Sequence, residues 1–386
     1  MTIPNRPRLD PRQLAALTAH RGLATWGERL VPLAEFRAAA AAGAANAAEQ
    51  RQAARRDYLR PLPDATPVEG PFRKVAVFGG VYSNRLALAA VLADAARRGA
   101  EAVYCLGDLG GFGPEPEKVW PLLLAGGVRS IQGNYEQSLA AGREDCNCGY
   151  TDPRDNHFAA ISYAYTARHC SPAFKRWMGG LPARRRVLVG GRELLLVHGS
   201  PRRVNEFLFH STSPDAFLEV LLDQHRCDAL LCTHTGLHWH RRLPSGRDAV
   251  NVGVIGRPPN DGRPEVRYAL LAARPARPGD AGDSVGDIDA GGSGSVSRGV
   301  PLGEGPTSPA PADSAPRPKG LRGKLTHYHA GGIDVELVPV RYDQQAMAAE
   351  VREAGLPEEF AETLISGWWT TCLEVLPARE RATSRF

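Results

Sequence analysis

The chain has 386 residues, 43% of them hydrophobic, and a formal net charge of +5. That is enough apolar content for a substantial core, and the charges are mixed along the chain, which gives no argument for a nucleic-acid partner. Nowhere do about 18 apolar residues run uninterrupted, and the opening Met1-Thr2-Ile3-Pro4-Asn5-Arg6-Pro7-Arg8 lacks a secretory apolar segment, so a cytoplasmic protein with no membrane partner is expected.

Residues 9 to 57 read as helix from the spacing of Leu14, Leu17, Leu30, Leu33 and Phe36 and the alanine run from Ala38 to Ala48, closed by Pro61, Pro63 and Pro67. Val75-Ala76-Val77-Phe78 then opens an alternation of strands and helices, with helix over Arg85 to Arg98 and strand over Ala102 to Leu106. Further strands are predicted at Val128 to Ile131, Leu194 to Val197, Ala229 to Cys232 and Tyr268 to Leu271. From Arg274 to about Gly323 the composition turns to Pro, Gly, Ser, Ala and Asp, which predicts a disordered insertion. Ile333 to Val340 alternates like a half-buried strand, and Asp343 is placed to cap a helix running to Gly355. The expected organisation is a helical extension over 1–70, a core over 71–273, the insertion over 274–323, and a strand and helices over 324–386 that complete the core.

The seven cysteines are an odd count and five stand singly, so free thiols are expected rather than a disulfide framework. Cys146-Asn147-Cys148 is the one close pair: a turn with incidental thiols, a soft-metal site or a redox-sensitive couple.

Polar motifs follow the apolar strands: Gly107-Asp108-Leu109-Gly110, Gly133-Asn134-Tyr135-Glu136, Val197-His198-Gly199 and Thr233-His234-Thr235-Gly236, with Asn251-Val252-Gly253-Val254-Ile255-Gly256-Arg257-Pro258 beyond them. Oxygen and nitrogen donors at strand ends are what metal-assisted phosphoester hydrolysis requires. In order and spacing these blocks resemble the G-D-x-x-G, G-N-H-[DE], [GV]-H-G and G-H-x-H motifs, and the N-P-G-S-V-G-x-P turn, of the compact bacterial branch of the calcineurin-like metallophosphoesterases, over roughly residues 73 to 272.

The resemblance implies an α/β fold, a four-layer αββα sandwich of two mixed sheets flanked by helices. It also implies two metals bridged by Asp108, the second of them completed by Asn134, His198 and His234. The family's D-x-H block falls on Gly80-Val81-Tyr82, and the second His of G-H-x-H on Gly236, so every ligand private to the first metal is lost. One divalent ion, Mn²⁺, Fe²⁺ or Zn²⁺, is therefore expected. Tyr135 stands where the family has its catalytic His; it can donate a hydrogen bond that balances developing charge but is a poor proton carrier near neutral pH. Arg202 and Arg203 are candidates to grip a phosphate, or else a solvated basic turn. His238, His240, Glu136 and Asn84 are candidate replacement ligands, and Trp368-Trp369 reads as packing for the last helix rather than a ligand platform.

The function expected is a metal-dependent hydrolase of a phosphoester or phosphoanhydride, with a phosphorylated small molecule or nucleotide as partner. The alternative is a catalytically degenerate protein of the same fold that binds a nucleotide or a protein.

Overall fold

The structure is a computed structural model that describes residues 64–274 and 332–383, together with two short strands nearer the start of the chain. Those strands, β1 (Leu23–Trp26) and β2 (Arg29–Pro32), pair antiparallel, with Leu23 opposite Pro32 and Trp26 opposite Arg29. They correct the helix read over 9–57 at those residues: Thr25, Trp26 and Val31 favour a pleated surface, and Pro32 is excluded from a helix interior. The rest of that helix, and residues 275–331 with the insertion, lie outside the described residues. The hairpin belongs to one unit of the chain, Met1–Asp64 with Asp223–Arg226, and the large sheets to the other, Ala65–Leu222 with Cys227–Phe386.

Along the remainder of the chain come β3 (Val68–Phe72), β4 (Lys74–Phe78), α1 (Arg85–Arg97), β5 (Ala102–Cys105), α2 (Val119–Ala125), β6 (Arg129–Ser130), α3 (Asn134–Ala140), α4 (Pro153–His169) and α5 (Pro172–Gly179). They are followed by β7 (Arg185–Val189), β8 (Arg192–Leu196), α6 (Asp215–His225), β9 (Ala229–Cys232), β10 (His238–Arg242), β11 (Asp248–Val252) and β12 (Val266–Arg274). The last elements are β13 (Gly332–Val340), α7 (Gln344–Glu353), α8 (Glu358–Ser366) and α9 (Ala378–Arg381).

The strands form two mixed sheets, in the orders β13-β12-β4-β5-β6 and β10-β11-β9-β8-β7-β3. Period-two alternation decides which side chains meet between them. Val75, Val77, Tyr104 and Leu106 from one sheet and Val187, Leu194, Leu196, Leu231 and Val250 from the other share a buried cluster. Ala76 and Phe78 instead join Leu88 and Val91 of α1 and Leu123 of α2. On the other sheet Leu195 and Leu230 pack with Leu218, Leu221 and Leu222 of α6. Helices thus lie on both outer faces, and the expected αββα sandwich is the observed fold.

β3 begins at Val68, ahead of the expected core boundary, and lies parallel to β7 at a sheet edge. β12 and β13 are antiparallel neighbours, with Arg274 opposite Gly332. Residues 275–331 are therefore inserted between two paired strands, and the entropic cost of joining them rises only slowly with the length of the connection. Asp343 accepts the Ala346 N–H at 2.9 Å and caps α7 as its sequence predicts.

Candidate metal centre

β4, β5 and β6 run parallel, as do β8 and β9, so their C-terminal ends open on one side, where α/β sheets place ligands. Asp108, Asn134, His198 and His234 stand just beyond β5, β6, β8 and β9. Asp108 and His234 adopt left-handed backbone, with φ of 59° and 66°, a conformation that costs roughly 1–3 kcal/mol for a residue other than glycine and collects at functional sites. Gly133 allows the turns to close on one another: a Cβ there would lie 2.5 Å from Asp108 Oδ1 and 2.8 Å from His198 Cε1.

The four side chains converge. His198 Nε2 lies 3.0 Å from Asn134 Oδ1, 3.1 Å from His234 Nδ1 and 3.3 Å from Asp108 Oδ2. Donor atoms of Asp108, His198 and His234 all lie within 4.8 Å of one another, and the three residues are buried. Backbone carbonyls decide the tautomers, because a carbonyl only accepts. His198 Nδ1 donates to Leu106 O at 2.6 Å and His234 Nε2 donates to Cys148 O at 3.1 Å. The inward nitrogens are then bare in the neutral rings. Asn134 is oriented likewise: its Nδ2 donates to Cys146 O at 2.8 Å, which turns Oδ1 inward.

In the neutral rings four acceptors face one another without a donor, so the arrangement favours positive charge there, an ion or a proton on His198 Nε2. The titration directions show the same preference. Burial works against charge on His198, but the Asp108 carboxylate outweighs it and holds the imidazole above its ordinary value. Burial, and then His198, push His234 down to about 3. Burial also opposes ionisation of Asp108, and the two imidazoles overcome it and hold its carboxyl below the usual range. Two imidazoles, a carboxylate and an amide oxygen fit Mn²⁺, Fe²⁺ or Zn²⁺ and leave positions open.

Supporting contacts surround these donors, as they do at metal sites generally. Cys146 and Cys148 are joined by a disulfide, against the free thiols expected, and the carbonyls of both residues hold site side chains. Of the three readings of this close pair, the disulfide matches the redox-sensitive couple. Asn251 donates to Thr233 O at 3.1 Å and Thr235 Oγ1 at 2.9 Å, on either side of His234. Glu136 accepts the N–H groups of Asp108, Leu109 and Gly133 at 2.8, 2.8 and 2.7 Å. It is an anchor for the Asp108 turn and not a replacement ligand.

Other candidates are engaged elsewhere. The Tyr135 hydroxyl shares a 2.9 Å hydrogen bond with Ser162 Oγ, and burial raises its pKa well above the ordinary value. Arg202 bonds Glu206 and lies over the Phe217 ring, 4.9 Å from its centroid. Arg203 is exposed, and its backbone N–H reaches Ser200 Oγ at 3.1 Å. Asn84 caps α1 through the Ala87 N–H at 3.0 Å. His238 Nε2 meets Arg267 O at 3.0 Å and His240 Nε2 meets Asp248 at 2.8 Å, both on β10.

Large side chains fill the positions of the missing half-site. A Cβ on Gly80 would lie 2.6 Å from Tyr82 Cε1, and one on Gly236 would lie 2.7 Å from Trp369 Cη2 and 3.2 Å from Arg257 Nη2. Arg257 is the residue that the sequence reading missed, its one signal being the Gly256-Arg257-Pro258 turn, and Trp369, read as helix packing, lies against its guanidinium.

No protein-family model matches the chain. The uncharacterized protein MJ0912 of Methanocaldococcus jannaschii is 27% identical over 145 residues, which are 37% of this chain and 57% of that protein, so the match spans little more than half the length of this relative. Among solved structures, the hypothetical protein PH1004 of Pyrococcus horikoshii OT3 aligns over 77% of this chain and 99% of its own, with a TM-score of 0.51 and 20% identity. A metallophosphoesterase from Sphaerobacter thermophilus aligns over 76% and 99%, with a TM-score of 0.48 and 21% identity. What the chain shares with the Pyrococcus horikoshii structure is the fold, and its two packed mixed sheets flanked by helices are the architecture expected above.

Proposed function

We propose that the protein is a metal-dependent hydrolase of a phosphoester or phosphoanhydride, with one divalent ion held by Asp108, Asn134, His198 and His234. The observation that supports it is the convergence of four acceptor atoms, the Asp108 carboxylate and three whose hydrogens are turned away by the carbonyls of Leu106, Cys146 and Cys148. A divalent ion there would supply Lewis acidity toward a phosphoryl oxygen and lower the pKa of a water. The chain's own part is to hold the donors rigid and keep both imidazoles in one tautomer. Mn²⁺ is the first ion to try, a phosphorylated small molecule or nucleotide is the substrate class, and the cytoplasm is the compartment. Among the described residues no helix is long and apolar enough to cross a membrane.

The test is turnover of generic phosphodiesters and dinucleoside polyphosphates with Mn²⁺, Fe²⁺ and Zn²⁺, against an Asp108→Ala control. Activity that depends on metal and on Asp108 supports the proposal, and none above the control under any metal rejects it. One observation favours a second reading, a non-catalytic nucleotide-binding protein: the Tyr135 hydroxyl is committed to Ser162, which leaves that position without a proton carrier. Calorimetric binding of a nucleotide with no product formed would select it.

A further inference from the structure

Arg257 is 5% exposed. Its guanidinium lies 3.4 Å from the centroid of the Trp369 ring, 5.3 Å from that of Phe112 and 5.7 Å from that of Tyr82. Among the described residues no carboxylate pairs with it, and its Nε is buried without a hydrogen-bond partner. A buried charge is costly unless it is paired, and ring faces answer the charge while leaving the N–H donors unused. Arg257 also lines a mostly apolar cavity in which Phe112, Met347 and Phe360 stand beside Asn84, Thr363 and Thr371. Ser83 Oγ, next to Tyr82 in the chain, is a second buried polar atom without a partner.

This cation is tied to the candidate metal centre. The N–H groups of Val81 and Tyr82 donate to the Asp108 carbonyl at 2.8 and 3.2 Å, and Arg257 Nη2 comes within 3.2 Å of where a Cβ on Gly236 would stand, two residues after His234. Trp369 is itself fixed, its indole N–H donating to Pro258 O at 2.7 Å and its backbone N–H to Asn260 Oδ1 at 2.8 Å.

We propose that Arg257, held in the box of Trp369, Phe112 and Tyr82, is an oxyanion-binding residue that takes a phosphate oxygen of the substrate. It brings positive charge to the side of the centre where Gly80 and Gly236 leave no metal ligand. A planar guanidinium suits this role, since its fork can bond two phosphate oxygens at once. The assignment rests on the phosphoesterase reading for the identity of the anion, and its test is separable from that reading.

Inorganic phosphate is titrated calorimetrically into the full chain, metal-free and with Mn²⁺, for wild type, Arg257→Gln and Arg257→Lys. Arg257→Gln is expected to weaken phosphate by about tenfold or more in both metal states, the scale of a lost hydrogen bond to a charged group, and Arg257→Lys to recover part of the loss. Mn²⁺ binding should be unchanged. Phosphate affinity equal to wild type in folded Arg257→Gln, or no phosphate binding by wild type, overturns the assignment. Absence of Mn²⁺ binding with an Arg257-dependent phosphate site would sink the metal reading alone. Should Arg257→Gln fail to fold, Trp369 reports on the wild-type chain: phosphate is expected to change indole emission, and the change to vanish in Trp369→Phe. An emission trace indifferent to phosphate overturns the proposal.

Discussion

Nε2 of His198 and Nδ1 of His234 face each other at 3.1 Å with the hydrogens of both neutral rings on their far sides. Two lone pairs at that separation repel, and Asp108 and Asn134 add two more acceptors. A divalent ion would relieve all four, and it would bind the folded chain only, because the donors come from four separate turns. Adding Mn²⁺ should therefore raise the melting temperature. At a free concentration a hundredfold above Kd the gain is about 2.7 kcal/mol. A chelator should reverse it and His198→Gln should abolish it. A melting curve indifferent to Mn²⁺, Fe²⁺ and Zn²⁺ alike would show that the centre closes without an ion.

The disulfide between Cys146 and Cys148 bears on the same centre through the backbone. Cys146 O holds Asn134 and Cys148 O holds His234, so a loosened loop would free two of the four donors to turn. Reduction with a phosphine, or replacement of both cysteines by serine, is expected to weaken Mn²⁺ by about 10–100-fold, the usual effect of losing a ligand's supporting contacts. Global stability should fall much less than the metal affinity. Equal Mn²⁺ isotherms before and after reduction would show that Asn205, which donates to Asn147 O at 3.1 Å, suffices to hold the loop.

Glu136 supports the other half of the centre. Its carboxylate accepts three buried N–H groups, those of Asp108, Leu109 and Gly133, and each donor left unpaired costs about 1–3 kcal/mol. Glu136→Leu should accordingly lose about 3 kcal/mol or more in denaturant unfolding. Glu136→Gln keeps one acceptor oxygen and should fall between the two. A loss within about 0.5 kcal/mol, the range of ordinary surface substitutions, would mean that water reaches those donors.

The four donors were legible because their motifs follow predicted strands in family order, three of those strands apolar and the one before Asn134 partly polar, and parallel strands put their ends on one side. The strand–helix rhythm predicted a layered α/β domain, and the αββα order was implied only by the family resemblance that the motifs carry. Side chains whose partners are distant in sequence were not legible. Asn84 reads equally as a ligand or a cap until Ala87 is seen to donate to it, and Glu136 reads as a carboxylate in a motif until three N–H groups are found on it. Arg257 and Trp369 are 112 positions apart in the numbering, and nothing local marks them as neighbours. β1 and β2 show the opposite case: the spacing of Leu30, Leu33 and Phe36 reads as a helical stripe, whereas the strand preference of Thr25, Trp26 and Val31 and the presence of Pro32 decide for a hairpin.

The missing half-site is occupied, which makes its restoration a coupled problem. Gly236 has φ of 77°, and a Cβ there meets Trp369 at 2.7 Å. Gly236→His alone should cost at least about 1–3 kcal/mol from backbone strain and leave the metal content per chain unchanged in elemental analysis. Gly80→Asp alone drives a Cβ against the Tyr82 ring at 2.6 Å and should also destabilise. Combined with Tyr82→His, which offers a smaller ring, the loss should be less than the sum of the two single changes. The coupling expected for residues in contact is about 0.5–3 kcal/mol. Strict additivity in a double-mutant cycle would show that Tyr82 turns aside freely and is not what keeps an acidic side chain out of position 80.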